Sequence, residues 1–171
     1  MEEQKTLVND VAAGDYNASD MPFDFVEEGT QTALICEPDT AVREKIAETM
    51  KSSGYRITEA ADARDALKKN RFHVYDVVVL NERFDTDNPD ANDLLSYFEA
   101  LPMATRRQTF VILLTERFRS SDNMTAFNKS VNLVINLTNV EDFAAIFKRG
   151  LADHNAFYHV FKETLKKMGK I

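Results

Sequence analysis

The sequence predicts an α/β fold: a five-stranded parallel sheet in the order 2-1-3-4-5, with helices on both faces and an extended C-terminal helix. Five short apolar segments recur along the chain, and each is followed by a segment that carries apolar residues at helical spacing. The third apolar segment does not alternate with polar residues, as expected for a strand that helices cover on both faces. Together these observations indicate consecutive right-handed β-α-β units.

Five apolar segments of five to seven residues are expected to form the strands. In chain order they are TALIC (32–36), YRITEA (55–60), VYDVVVL (74–80), TFVILLT (109–115) and NLVINL (132–137). Functional groups of such sheets collect in the crevice at the carboxyl ends of the strands. The positions to consider for function are therefore 37–39, 81–83, 115–117 and 136–139.

The segments between the strands are predicted to be helices because their apolar residues fall on one stripe. Asp39 or Thr40 can cap the first helix, and Gly54 ends it. The predicted helices are 40–53, 62–70, one that contains Leu94, Leu95, Phe98 and Leu101, one near 120–129, and one from about 140 to 168.

The chain of 171 residues divides into an acidic tail (1–30), a core domain (31–148) and a C-terminal helical extension (149–171). The formal charge of −7 resides entirely in residues 1–30, and residues 31–171 are neutral. The tail lacks a sustained pattern and is expected to be mostly disordered, with Phe23, Phe25 and Val26 as possible docking points. Acidic tails repel phosphates, so the charge gives no general support for nucleic-acid binding.

Several classes of protein are not expected. No apolar run approaches the roughly 18 residues of a membrane span, and the N-terminus lacks the cationic start and apolar core of a signal peptide. The single cysteine, Cys36, excludes an intrachain disulfide and a cysteine metal cluster, and it is expected to be an inert core residue. We therefore expect a cytoplasmic protein without membrane contact.

The ordered segments resemble the response-regulator receiver domain, the phosphate-accepting module of two-component signalling. The resemblance covers about residues 32–148 and depends on ALICEPDTAVREKI, GYRITEAADARDALKK, YDVVVLN, FVILLT and LVIN. It implies five side chains at the carboxyl edge of the sheet: two acids after the first strand, a nucleophilic aspartate ending the third, a hydroxyl ending the fourth and a lysine ending the fifth. Mg²⁺ bridges the nucleophile and the phosphate, which would otherwise repel each other.

Two of these five positions are retained and three are lost. The first acid is present as Glu37 and the hydroxyl as Thr115, but Pro38 stands at the second acid position. Asn81 stands at the nucleophile, and the lysine position falls on Asn136, or on Leu137 if the register slips by one. Asp39 lies one residue beyond the second acid position. The resemblance therefore implies a degenerate pocket without phosphoryl transfer, metal, cofactor or small-molecule substrate, in a protein that is not an enzyme.

The sequence is compatible with two interpretations of Asn81. Its amide could imitate one signalling state, or it could satisfy neighbouring polar groups where a charge without metal would be costly, and the second is favoured. The first functional hypothesis is a phosphorylation-independent adaptor that binds a protein partner or itself. The alternative is an atypical phosphorelay receiver that accepts phosphate at another carboxylate, such as Asp39 or Asp85. A third, weaker idea is nucleic-acid binding through the lysine-rich C-terminal helix.

The C-terminal helix is longer than a receiver requires. Phe157, Tyr158, Phe161 and Leu165 form a second apolar stripe beyond the part that the sheet can cover. The stripe either folds back as a cap on the domain or forms a surface for a protein partner or a second copy of the chain. Both interpretations stay open from the sequence.

Overall fold

The computed structural model describes residues 6–14, 27 and 29–170. Its strands are β1 (Thr32–Cys36), β2 (Arg56–Glu59), β3 (Val77–Asn81), β4 (Phe110–Thr115) and β5 (Leu133–Asn136). All pairings are parallel, and the strand order is β2-β1-β3-β4-β5. Every residue of β1, β3 and β4 is buried, as the apolar segments predicted. The predicted fold class is confirmed.

Eight α-helices surround the sheet in the described part of the chain. They are α1 (Leu7–Ala13), α2 (Thr40–Ser52), α3 (Ala63–Phe72), α4 (Asp93–Ala100), α5 (Met103–Arg106), α6 (Asn123–Asn128), α7 (Phe143–Phe157) and α8 (His159–Lys167). Two 3-10 segments, Pro89–Ala91 and Leu137–Asp142, precede α4 and α7. No helix among the described residues has both the length and the apolar character needed to span a bilayer.

The core consists of two layers, one on each face of the sheet. Successive strand residues point to opposite faces, so Leu34 and Cys36 lie in one cluster while Ala33 and Ile35 lie in the other. α3, α4 and α6 cover the first face, and α2 and α7 cover the second. Cys36 is fully buried, and burial raises the pKa of its thiol, so the group is an uncharged core residue.

The N-terminal segment departs from the expectation for residues 1–30. Leu7–Ala13 forms a helix that packs on α3 and α4, and Val11 is 6% exposed. Asp10 pairs with Arg64 at 2.6 Å, and the Arg71 guanidinium donates to the carbonyl oxygens of Val11 and Gly14. Residues 1–30 were expected to be mostly disordered, and Leu7–Ala13 is a part of them that is ordered because its few apolar residues pack on the domain surface. Residues 23, 25 and 26 lie outside the described residues.

The C-terminal helix is divided where the sequence suggested one continuous helix. Residues from Leu137 to Asp142 form a 3-10 segment, α7 then ends at Phe157, and α8 begins at His159. Tyr158 joins the two helices with φ −92° and ψ 8°. The turn brings Phe161 of α8 beneath the Arg107 guanidinium, whose carbon lies 5.1 Å from the ring centre.

Candidate functional site

Strand register brings the predicted site residues to one edge of the sheet. Leu80 is the neighbour of Cys36, and Leu114 is the neighbour of Asn81. Thr115 pairs with Asn136 at the end of β5. Since all strands run in the same direction, Glu37 and the last residues of β3, β4 and β5 share this carboxyl edge.

Glu37 and Asn81 form a buried pair at the centre of the crevice. The Asn81 side-chain amide donates to Glu37 Oε2 at 2.8 Å, and the Asp39 backbone N–H donates to Glu37 Oε1 at 2.9 Å. Asn81 Oδ1 accepts from the Arg83 backbone N–H at 2.9 Å. Burial raises the pKa of the Glu37 carboxyl, and the hydrogen bonds from Asn81 and Asp39 oppose that rise. The amide therefore supplies the donor that an aspartate at position 81 would lack.

The crevice does not fit Mg²⁺, although the resemblance assigns a metal to this edge. Both Glu37 oxygens accept internal hydrogen bonds, and Asn81 turns its NH₂ group toward Glu37. Pro38 has no side-chain ligand atom, and Mg²⁺ needs several oxygen ligands in near-octahedral geometry. Among the described residues, no group of three or more His, Cys, Asp and Glu side chains is arranged to hold a metal.

The carboxylates of Asp39 and Asp85, the two other candidate acceptors, lie at the starts of α2 and α3. Asp39 Oδ1 accepts from the Val42 backbone N–H at 3.0 Å and caps α2, so Asp39 and not Thr40 is the cap among the two that the sequence offered. Asp85 Oδ2 accepts from the Ala63 backbone N–H at 3.0 Å, and its own backbone has φ 54°. Each carboxylate therefore satisfies a backbone donor at the beginning of a helix.

The Thr115 hydroxyl is bound to Glu82, which the sequence analysis did not single out. The hydroxyl donates to Glu82 Oε1 at 2.7 Å and accepts from the Arg117 backbone N–H at 3.0 Å. The Arg117 guanidinium binds Glu82 Oε2 through Nε at 3.1 Å and Nη2 at 2.8 Å. Glu82 is 1% exposed, so these contacts neutralise a buried charge.

A wider network continues from Arg117 to the protein surface. Arg117 binds both oxygens of Asp90, and Lys129 Nζ lies 2.9 Å from Asp90 Oδ1. The hydrogen bonds from these two cations lower the pKa of Asp90 to about 2. Asn92 donates to the Glu82 carbonyl oxygen at 3.0 Å and caps α4. The β3–α4 loop, the β4–α6 loop and the end of α6 are joined in this way.

Asn136 is directed away from the Glu37–Asn81 pair. Its side-chain amide donates to the Phe118 carbonyl oxygen at 2.7 Å, and its Oδ1 accepts from the backbone N–H and hydroxyl of Thr138. Its backbone N–H donates to Ser120 Oγ at 2.8 Å. Asn136 therefore braces the β4–α6 loop against the segment after β5.

The predicted C-terminal stripe has two differently placed parts. Tyr158 contacts His154 with ring centres 4.8 Å apart and the ring planes tilted by 55°, Phe161 lies under Arg107, and Leu165 is half-buried. Phe157 is 79% exposed, and Val160 beside it is 75% exposed. The stripe is therefore partly a cap on the domain and partly an exposed apolar surface.

Glu82 and Arg117 are the residues of this edge that sequence reasoning missed. Glu82 lies in the range 81–83 after β3, and Arg117 lies in the range 115–117 after β4. Their position in these ranges was the only sign in the sequence that they belong to the site. They are 35 residues apart, and nothing in the sequence pairs them. Only the parallel contact of β3 with β4 brings the two side chains together.

Comparisons with known proteins find similar structures among response regulators. No protein-family model matches the chain, and no curated protein matches its sequence. A chain from Chloroflexus aurantiacus J-10-fl that is named as a response regulator matches with a TM-score of 0.57 and 20% identity over 71% of this chain and 98% of that chain. The chemotaxis response regulator CheY4 of Vibrio cholerae matches with 0.56 and 18% over 71% and 98%. HP1043, an orphan response regulator of H. pylori, matches with 0.54 and 14% over 72% and 98%.

The TM-scores of these three matches show a shared fold, and their identities of 20% or less show no more than that. The chain has the five-stranded parallel α/β fold of response-regulator receiver domains, as its segments implied. What the crevice does in this chain depends on the contacts of its own residues.

Proposed function

We propose that the chain is a pseudo-receiver: a cytoplasmic interaction module of a signalling system that works without phosphorylation at its acceptor position. The observation that carries the proposal is the hydrogen bond from the Asn81 amide to Glu37 Oε2 at 2.8 Å. An amide nitrogen is not a nucleophile for phosphate, and its NH₂ group cannot be a metal ligand. The charges that phosphoryl transfer requires are replaced by an internal hydrogen bond.

Titration with Mg²⁺ and beryllofluoride tests the proposal. Amide resonances of residues 37, 81 and 115 are expected to stay unchanged in ¹H–¹⁵N spectra, because the Glu37 oxygens and the Thr115 hydroxyl are already bound. Mg²⁺ chloride without beryllofluoride serves as the ionic-strength control. A saturable shift at these three positions that needs both ions would overturn the proposal.

Phosphate acceptance at Asp39 or Asp85 is the alternative. Against it stand the hydrogen bonds that hold both carboxylates at helix starts. Incubation with a small phosphodonor followed by intact-mass measurement distinguishes the two functions, because an acyl phosphate adds a defined mass. An added phosphate that disappears in Asp39→Asn or Asp85→Asn would favour the alternative.

The exposed part of the C-terminal surface is the proposed contact for a protein partner or a second copy of the chain. Phe157 and Val160 face outward, and Phe127 of α6, which is 78% exposed, lines the same groove as Phe157. Large apolar side chains clustered in this way are typical of interaction sites. Lys162, Lys166 and Lys167 of α8, with Lys170 just after it, place positive charge at this end of the chain, which suits an acidic partner.

Substitution at the outward positions tests this surface without disturbing the domain. Sedimentation velocity at several concentrations is expected to show association that Phe157→Glu and Val160→Glu abolish. Lys167→Glu is the control, because Lys167 is exposed on α8 and changes charge without removing apolar area. The surface would be excluded if the chain is monomeric at all concentrations and if both Glu variants bind the same protein partner as the wild type.

A further inference from the structure

Glu82 is a buried carboxylate with a complete set of partners at the carboxyl edge. One oxygen accepts from the Thr115 hydroxyl at 2.7 Å, and the other accepts two hydrogen bonds from the Arg117 guanidinium at 3.1 and 2.8 Å. Among the described residues, no buried side-chain nitrogen or oxygen lacks a partner. This is the donor set of an anion site, with a hydroxyl and a guanidinium converging on one negative group.

The same carboxylate joins segments that are far apart in sequence. Glu82 belongs to the β3–α4 loop, whereas Thr115 and Arg117 belong to the end of β4 and the loop after it. Arg117 also binds Asp90 at the far end of the β3–α4 loop. A buried ion pair is seldom worth more to stability than apolar side chains of equal size, so its main consequence here is the geometry that it fixes.

We propose that Glu82 is a resident anion: it occupies an anion site formed by Thr115 and Arg117, and it holds the two loops together without any ligand. If the Glu82 side chain were removed, the site would take a small carboxylate, because its present occupant is itself a carboxylate. The surface that Asp90 and Lys129 form with Arg117 is consequently fixed in one arrangement. This goes beyond the proposed function, since the site would exist whether or not the chain binds a partner.

Chemical rescue of Glu82→Ala tests the inference. The substitution removes the carboxylate and leaves space for acetate beside Thr115 and Arg117. We expect the Arg117 backbone amide, which donates to Thr115 Oγ1, to exchange with solvent at least about tenfold faster in the variant. Added acetate should restore slow exchange in a saturable way, whereas acetamide and potassium chloride at equal concentration should not.

Two further variants separate an anion site from a packing effect. Glu116→Ala is the matched control, because Glu116 is a mostly exposed neighbour whose nearest cation, Arg83, lies 4.0 Å away. It should neither speed exchange nor respond to acetate. In Glu82→Ala combined with Arg117→Met, acetate should have no effect, because the guanidinium is gone.

Several results would overturn the inference. Equal rescue by acetate and acetamide would show space filling, equal rescue by chloride would show ionic screening, and rescue without Arg117 would place the acetate elsewhere. If Glu82→Ala does not fold, the isosteric Glu82→Gln gives the decision: it retains the volume but not the charge. Unchanged exchange of the Arg117 amide in Glu82→Gln would exclude a resident anion. This result would not affect the proposed function, which the titration with Mg²⁺ and beryllofluoride tests separately.

Discussion

Asn81→Asp is the perturbation that probes the crevice most directly. It replaces the NH₂ donor to Glu37 with a second carboxylate at about the same place, and both residues are buried. The lost charge-assisted hydrogen bond is worth about 1.5–3 kcal/mol. Two unit charges separated by 2.8 Å repel by about 6 kcal/mol at an effective dielectric constant of ~20. The two carboxylates reduce this repulsion by binding a proton. We therefore expect the free energy of unfolding at pH 7.5 to fall by about 3–5 kcal/mol.

The loss should depend on pH in a defined direction. Burial already raises the pKa of Glu37, and a second carboxylate raises the pKa of the pair further. The folded state then binds more protons than the unfolded state, so stability decreases as pH rises through the pKa of the folded pair. Asn81→Asp should therefore be closer to wild type at pH 5 than at pH 7.5.

Urea denaturation of the wild type and three variants at both pH values measures the effect. Asn88→Asp is the matched control, because Asn88 is exposed and its side chain caps a 3-10 segment that an aspartate can also cap. Glu37→Gln combined with Asn81→Asp reverses the donor and the acceptor and should regain most of the lost stability. Intact-mass measurement after exposure to a phosphodonor should find no phosphate on Asn81→Asp. A variant as stable as wild type at pH 7.5, or one that becomes phosphorylated, would refute this account of the crevice.

Three other predictions follow from named contacts. Arg117→Met should lower the free energy of unfolding by about 2–3 kcal/mol, which is less than the loss for a fully buried pair because Arg117 is partly exposed. Lys129→Met should change the free energy of unfolding by less than ~0.5 kcal/mol. Urea denaturation that gives the two variants equal stability would contradict this prediction. Burial and nearby cations lower the pKa of His154 to about 4, so stability should fall as pH decreases from 6.5 toward that value, and His154→Gln but not His159→Gln should flatten the pH profile. Val11→Ala should lower the free energy of unfolding by about 1–2 kcal/mol because Val11 is buried where α1 packs on the domain, and thermal unfolding that shows no loss would contradict this packing.

The fold could be predicted because its signals are local. VYDVVVL is apolar throughout, and the helices that flank the strands carry their apolar residues on one stripe, so each element is specified by a few neighbouring residues. β3 nevertheless begins at Val77 and not at Val74. The Asp76 carboxylate before it accepts from the Thr32 backbone N–H at 2.7 Å, a contact across 44 residues that no local pattern contains.

The candidate site could be predicted in part. Glu37, Asn81 and Thr115 were placed at one edge because parallel strands end together, and the structure places them there. The direction of each side chain was not predictable. Asn136 reaches the Phe118 carbonyl oxygen and not the crevice, and Thr115 is bound to a carboxylate one residue beyond β3.

The sequence by itself determined the class of the fold, the edge of the sheet to inspect for function, and the presence of Pro38, Asn81 and Asn136 at that edge. These follow from residue identity and from periodicity, which act over a few residues. The tertiary structure alone decided that Asn81 donates to Glu37, that Glu82 meets Arg117, and that Leu7–Ala13 is a docked helix. Such contacts join residues tens of positions apart, and their geometry is set only when the strands pair and the loops between them close.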